Sequence, residues 1–329
     1  MTEPIRIATI GAGALSSRRI YPCFHMLPID LVAVCDLDES RSRIAARKFG
    51  GLNFYTDYRR MLDAERLDAV IVCIDPCAHL ELSQEIMRRG LHVYTEKPPA
   101  PDAAGAALAL NTSRETGRIC MTAFKKRFAP VYKRAKQIID SEPFGSPELL
   151  SVDYCSGPYT NEADNPRSWF LLDFAIHIID LTRFLFGEVE QVYASSRGVD
   201  SYAVNLEYES GALGVLAMSC RRSWSIGTEE IEITGSNREF VSISGSTRLR
   251  HYREDALVEG TEPNFSTSAG DSLIETGFFG ELEEFAAAVR ENRQPESSIE
   301  SAFRTMALYE AIARSAQTRR PIKPDYLGL

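Results

Sequence analysis

The sequence contains seven cysteines, at 23, 35, 73, 77, 120, 155 and 220, but no C-x-x-C pair and no paired spacing. A disulfide framework is thereby excluded, and several of these residues lie in apolar, strand-like runs, where they read as reduced core thiols. Long apolar runs are also missing. The longest, AVIVCI at 69–74, is far too short to span a bilayer, and MTEPIRIATIG enters a strand pattern without a signal-like stretch. The cytoplasm is the expected location. Positive charge is in deficit, with 37 Lys and Arg against 46 Asp and Glu and a net charge of -9, so neither nucleic acid nor an anionic membrane is an expected partner. Low-complexity blocks are absent, and 44% hydrophobic residues in 329 suffice to bury large cores, with about two domains as the prior. A small molecule is the simplest partner.

What is present begins at residues 5–16. IRIATI is a short β-branched strand that runs into GAGALS, after which SRRIYPCFHML is expected to wind as a helix despite Pro22. In this strand, turn and helix, Gly11 makes the tight turn and Gly13 leaves bare backbone for a pyrophosphate. Helix-start N–H groups favour its negative charge. Ser16 replaces a third glycine and is still small enough for close packing. The next strand, DLVAVCD, ends in Asp36, placed to accept both hydroxyls of a ribose; the plainer role is a helix cap, which Asp38 or Ser40 would fill equally well. A 2′-phosphate would be repelled by Asp36, so NAD is expected over NADP, with Arg41 and Arg43 near enough to soften the preference. The alternation continues through LDAVIVCI, HLELSQEIMRR stopped at Gly90, LHVYTE, a helix from Pro101 to about Thr116 closed by Gly117, and RICMTAF. This is a doubly wound parallel α/β sheet of the Rossmann type, expected over residues 1–122. Gly11, Asp36, Asp75 and Lys97 all fall at carboxyl ends of its strands, where such sheets bind ligands.

Lys97 stands between Glu96 and the prolines Pro98 and Pro99, and Pro98 biases it towards extended geometry. The plain reading is a solvated lysine at a strand-to-loop turn. Further on, WFLLDFAIHIIDLTRFLFG at 169–187 is an almost wholly apolar helix pattern in which Asp173, His177 and Asp180 share one face. Ionisable groups in so apolar a helix are either a satisfied pair or the lining of a cavity. No ligand spacing such as H-E-x-x-H accompanies them, so a metal site is not expected. From Glu188 to about Arg253 the pattern turns to successive strands, with a hairpin at Ser210 and Gly211, and helices follow at roughly 276–292 and 298–317. An α+β part over 123–329 with a large, mostly antiparallel, open-faced sheet is expected. CSGPYTNEADNPRS and GTEPNFSTSAGDS are polar loops and candidate pocket rims.

Taken together, GAGALS after a strand, Asp36 after the second, TEKPPA, and D-F-A-I-H-I-I-D in a later helix resemble the Gfo/Idh/MocA family of glucose-fructose oxidoreductases, inositol dehydrogenases and related sugar dehydrogenases. The resemblance covers nearly the whole chain. It implies a cofactor held by the turn residues Gly11, Gly13, Ala14, Leu15 and Ser16, by Asp36, and by Ile74, Asp75, Pro76 and His79 at and after the end of LDAVIVCI. Glu96 and Lys97 complete that implied set. It also implies a homodimer or homotetramer formed through the sheet. Lys97 matches the family's substrate-contacting lysine, and Asp173 and His177 match its aspartate and proton-exchanging histidine; Arg127 resembles an arginine near the substrate, or else belongs to a surface cluster with Lys125 and Lys126. Trp169, Phe170 and Ala175 depart from the family's glycines and imply a narrower or more aromatic pocket. Asp75 and Cys77 replace the commoner threonine or serine and asparagine. The implied chemistry is hydride exchange at a secondary alcohol of a sugar or cyclitol. Two other readings stay open: a cofactor-binding sensor without turnover, and an enzyme that recycles bound NAD in place.

Overall fold

Strand β1 (Ile5–Ile10) is buried at five of its six positions, as expected of a run destined for the middle of a parallel sheet covered on both faces. The computed structural model describes residues 3–162, 165, 169–262 and 272–326. After β1 come β2 (Ile29–Cys35), α1 (Glu39–Phe49), β3 (Asn53–Tyr55), α2 (Tyr58–Ala64) and β4 (Ala69–Val72). The alternation closes with α3 (His79–Arg88), β5 (His92–Thr95), α4 (Ala103–Thr116) and β6 (Cys120–Thr122). The six strands pair in the order β3-β2-β1-β4-β5-β6, all parallel, with the topological switch between β1 and β4. Gly90 and Gly117, read as stops, take positive φ after their helices.

One expected helix is irregular. SRRIYPCFHML forms a wide π-type turn at Ser16–Ile20 and then a tight 3-10 turn at Tyr21–Met26, with Pro22 in the first turn of the latter, where its missing N–H costs nothing. Gly11 is required sterically. Its φ is +104°, and a Cβ there would lie 2.1 Å from the Cys73 carbonyl oxygen, so the turn after β1 passes directly against the end of β4. Gly11→Ala is expected to lower stability by about 1–3 kcal/mol from backbone strain, before any clash is counted, as measured by chemical denaturation. An unchanged midpoint would contradict this close approach.

A second compact unit comprises 125–277 and 304–328, whereas 278–303 belong with the first. This return of the chain is absent from a linear division at 122/123. The second unit contains α5 (Pro130–Ile139), β7 (Pro147–Cys155), α6 (Ile176–Phe186), β8 (Val189–Arg197), β9 (Ser201–Tyr208) and β10 (Leu213–Ser219). Strands β11 (Thr228–Gly235), β12 (Glu239–Ser244), β13 (Arg248–Arg253) and β14 (Ala256–Thr261) follow. The eight strands order as β14-β13-β12-β11-β7-β10-β9-β8, antiparallel throughout except for the β7–β10 pair. The hairpin at Ser210 and Gly211 forms as expected between β9 and β10. β7, the strand that joins the two halves of this sheet, falls in a stretch for which the sequence suggested no strand. Its core face is Leu150, Val152 and Tyr154.

Helices α7 (Phe278–Glu291) and α8 (Ile299–Thr318) complete the chain. In the first unit Phe285 of α7 meets Tyr94 of β5 edge to face, with ring centroids 5.6 Å apart. In the second, Leu308, Ala311 and Ile312 of α8 join α5 and α6 on one face of the sheet. The other face is left uncovered by the described residues and carries Tyr193, Leu149, Leu213 and Val215, all exposed. No described helix is long and apolar enough to cross a membrane. The candidate rim at 260–272 lies mostly outside the described residues, as do 163, 164 and 166–168 of the other.

Candidate active site

In the first unit the sequence-derived cofactor residues converge at the carboxyl ends of β1, β2, β4 and β5. Asp36 follows β2, and its two oxygens accept from the Ala12 N–H at 2.7 Å and the Asp38 N–H at 2.9 Å. The carboxylate therefore ties the glycine turn to the end of β2. The cap of α1 is Asp38, which accepts from the Ser40 and Arg41 N–H groups, so Asp36 is not spent on that task. Arg41 pairs with Asp38 and Arg43 with Glu39, which directs both guanidinium groups to neighbouring acids. A side chain at Gly13 would meet nothing within 4 Å. That bare backbone beside a carboxylate-pinned turn fits a dinucleotide phosphate, and Ser16 is buried where the third small residue is needed.

The loops after β4 and β5 are fastened to each other. Asp75 caps a short turn at Pro76–Ala78 by accepting from the Cys77 N–H. His79, fully buried, lies with Nδ1 2.8 Å from the Pro98 carbonyl oxygen; a carbonyl only accepts, so Nδ1 carries the proton. The Lys97–Pro98 peptide bond is cis. Glu96 is buried and accepts from the Lys97 N–H at 3.2 Å, while Lys97 itself is half-buried. Thus the backbone on both sides of the Lys97 side chain is held by hydrogen bonds, through Glu96 and through Pro98.

In the second unit the apolar stretch 169–187 is not one regular helix. Phe170–Phe174 form a wide π-type turn, and α6 proper starts at Ile176. From Phe170 to Asp180 only Asp173, Phe174 and His177 are half-buried; every other residue is buried. The polar stripe consequently divides. Asp180 is wholly buried and accepts from Arg127 Nε at 2.7 Å and Nη2 at 2.5 Å, and from Thr305 Oγ1 at 2.9 Å. This corrects the reading of Arg127 as part of a surface cluster: the guanidinium is inside, stapled to α6. Lys126 is buried too, 2.6 Å from Glu229. Burial pushes the Glu229 carboxyl up, but the charge of Lys126 and hydrogen bonds from Lys126, Ser246 and Tyr132 outweigh it and hold it below its ordinary value.

Asp173, like His177 and unlike Asp180, stays half-buried. Its Oδ2 accepts from the Tyr159 hydroxyl at 2.8 Å. Burial, then the negative charge of Asp173 and the hydrogen bond to it, push the Tyr159 phenol far up, so it remains a donor at any working pH. The His177 Nδ1 is shielded from solvent. Trp169 is half-buried at the start of the wide turn. Tyr159 was not foreseen. It lies in an irregular polar loop, and only the folded chain puts it against a residue 14 positions away.

Residues 5–124 match the oxidoreductase family's NAD-binding Rossmann fold, and 136–323 match its C-terminal alpha/beta domain. The chain is 27% identical over 342 residues to the myo-inositol 2-dehydrogenase of Thermotoga maritima, covering 97% of this chain and 98% of that protein. It is 26% identical to the 4-carboxy-2-hydroxymuconate-6-semialdehyde dehydrogenase of a Sphingobium strain, covering 90% and 93%. Among solved structures, a dehydrogenase from Chromobacterium violaceum shares its fold with a TM-score of 0.88 at 22% identity, covering 97% of each chain.

Proposed function

Since the chain belongs to the Gfo/Idh/MocA oxidoreductase family, we propose that it interconverts a secondary alcohol of a sugar or cyclitol and the corresponding ketone. The relatives named as inositol and sugar dehydrogenases support that substrate class. The chain is an NAD-binding oxidoreductase, and the nicotinamide, when bound, supplies the hydride acceptor or donor. The observation that carries the assignment of roles is the half-buried pair Asp173 and His177 in a segment that is otherwise buried except for Phe174. A helix that excludes water yet presents an imidazole and a carboxylate is suited to moving a proton under controlled solvation.

His177 takes the hydroxyl proton during oxidation and returns it during reduction. Lys97 hydrogen-bonds the substrate oxygen and stabilises the negative charge that develops there; its pinned backbone keeps the ammonium from paying reorientation at each turnover. Asp173, itself held by Tyr159, orients a substrate hydroxyl or the imidazole. Trp169 contributes to the substrate wall. Arg127, bound to Asp180, supports the active helix from behind. The direct test is appearance or loss of reduced-nicotinamide absorbance with a panel of cyclitols, aldoses and anhydrosugars. Absence of any turnover, with cofactor bound, would favour a sensor and end the dehydrogenase reading; turnover of substrate without release of NADH would mark a cofactor recycled in place.

The Rossmann half holds NAD through Asp36, the glycine turn and the loop at 74–79. Asp36→Asn is expected to weaken NAD binding about ten- to a hundredfold, the worth of lost charge-assisted hydrogen bonds, while NADP binding changes little or improves. Parallel titrations of both dinucleotides read this out, and an unaltered NAD to NADP ratio would remove Asp36 from the cofactor site. We also propose that copies associate through the uncovered sheet face, where Leu149, Leu213, Val215 and Tyr193 are exposed together. A cytoplasmic setting is supported by seven cysteines that are not joined in disulfides.

A further inference from the structure

Trp224 is a large apolar ring that remains 59% exposed, although it is held in place on several sides. It lies between β10 and β11 and rests on bare backbone: a Cβ built at Gly157 would fall 2.3 Å from its Cδ1. Tyr159 packs beside it with centroids 5.3 Å apart, and Phe174 meets it edge to face at 6.2 Å. Phe174 stacks in turn on Tyr154 at 4.4 Å, which anchors the cluster in the core of the second unit. Two of the rings that hold Trp224 also define the polar centre. Tyr159 donates to Asp173, and Phe174 is the half-buried neighbour of Asp173 on the segment leading to His177.

We propose that Trp224 is the specificity platform of the site, against which a ring-shaped polyol lays its apolar face. The inference rests on Asp173 and His177 being the reacting centre. A six-membered polyol in its chair form projects hydroxyl groups outward around its rim and shows axial C–H bonds on its faces. An exposed, immobilised indole covers such a face without demanding hydrogen bonds from it, while a carboxylate nearby receives a rim hydroxyl. An open-chain polyol has no flat apolar face and must freeze several torsions to imitate one. The arrangement therefore selects cyclitols and pyranosides over acyclic polyols, and Tyr159 couples the platform to Asp173 mechanically.

The experiment compares Trp224→Ala and Trp224→Phe with the wild-type chain. For ring polyols such as myo-inositol and methyl glucosides, the alanine variant should raise KM about ten- to a hundredfold while kcat stays within a few-fold, and phenylalanine should restore most of the loss. Acyclic sorbitol and erythritol should be poor for all three proteins. A second readout does not need turnover. The chain has two tryptophans, so 5-fluorotryptophan labelling gives two fluorine resonances, and Trp224→Phe identifies which belongs to Trp224. That resonance should move with ring polyols and not with acyclic ones. If ring polyols are turned over but the alanine variant keeps its KM and the resonance stays still, the platform is refuted and the dehydrogenase assignment stands. If nothing is turned over, the assignment falls and the resonance alone decides: movement with ring polyols supports the platform, and none refutes it.

Discussion

Alanine at His177 should reduce kcat by about 10²–10⁴-fold, and alanine at Lys97 by about 10²–10³-fold, with NAD affinity within a few-fold of wild type in both. The separation of effects follows from the roles proposed. His177 handles a proton and Lys97 answers a charge that exists mainly in the transition state, so neither contributes much to ground-state binding of the dinucleotide. Lys97→Arg should recover little, because a broad guanidinium on a pinned backbone cannot take the position of a compact ammonium. A double variant supplies the sharper measurement. If both groups serve one oxygen, their losses combine to less than the product of the single losses, since removal of either already disables the step. Fully multiplicative losses, or single variants with wild-type turnover, would sink the shared role.

The second large effect concerns stability. Arg127→Ala and Asp180→Ala should each cost about 3–5 kcal/mol, because each leaves a buried charge without its partner. Both side chains of this pair are at most 5% exposed. Replacing both together by apolar residues of similar size, Arg127→Met with Asp180→Leu, should recover most of that loss as read from denaturation midpoints. The same double variant discriminates between the two readings of Arg127. A supporting residue predicts that the refolded double variant keeps its KM for substrate, whereas a substrate-binding arginine predicts that KM rises even when stability is restored.

The first unit was legible because its signals are local. A β-branched run before Gly11, an acid at the end of the next strand and helix stops at Gly90 and Gly117 each act over a few residues, and the observed six-stranded sheet is parallel and doubly wound as they imply. The irregular turns at Ser16–Ile20 and Phe170–Phe174 were not legible, since the apolar spacing of a wide turn differs from that of a helix by only one residue. β7 escaped notice for another reason. Its inward set of Leu150, Val152 and Tyr154 alternates properly, but Pro147 and acidic residues at 148 and 153 interrupt the pattern, and its partner β10 lies some sixty residues on. The candidate site shows the same division. Lys97, Asp173 and His177 stood out through their unusual neighbours in sequence. Tyr159 and the true partner of Arg127 did not, because a hydrogen bond across 14 or 53 residues leaves no mark on either local stretch.

The return of residues 278–303 to the first unit affects how the molecule is made. Phe285 closes over Tyr94, and Leu308 and Ile312 fill the other core only afterwards in chain order. A ribosome delivering this protein cannot finish the nucleotide-binding half first and move on; both halves wait, partly assembled, for segments that emerge near the end of translation. Premature termination anywhere before those segments should leave no self-sufficient fragment, only two unfinished interiors exposed to chaperones and proteases.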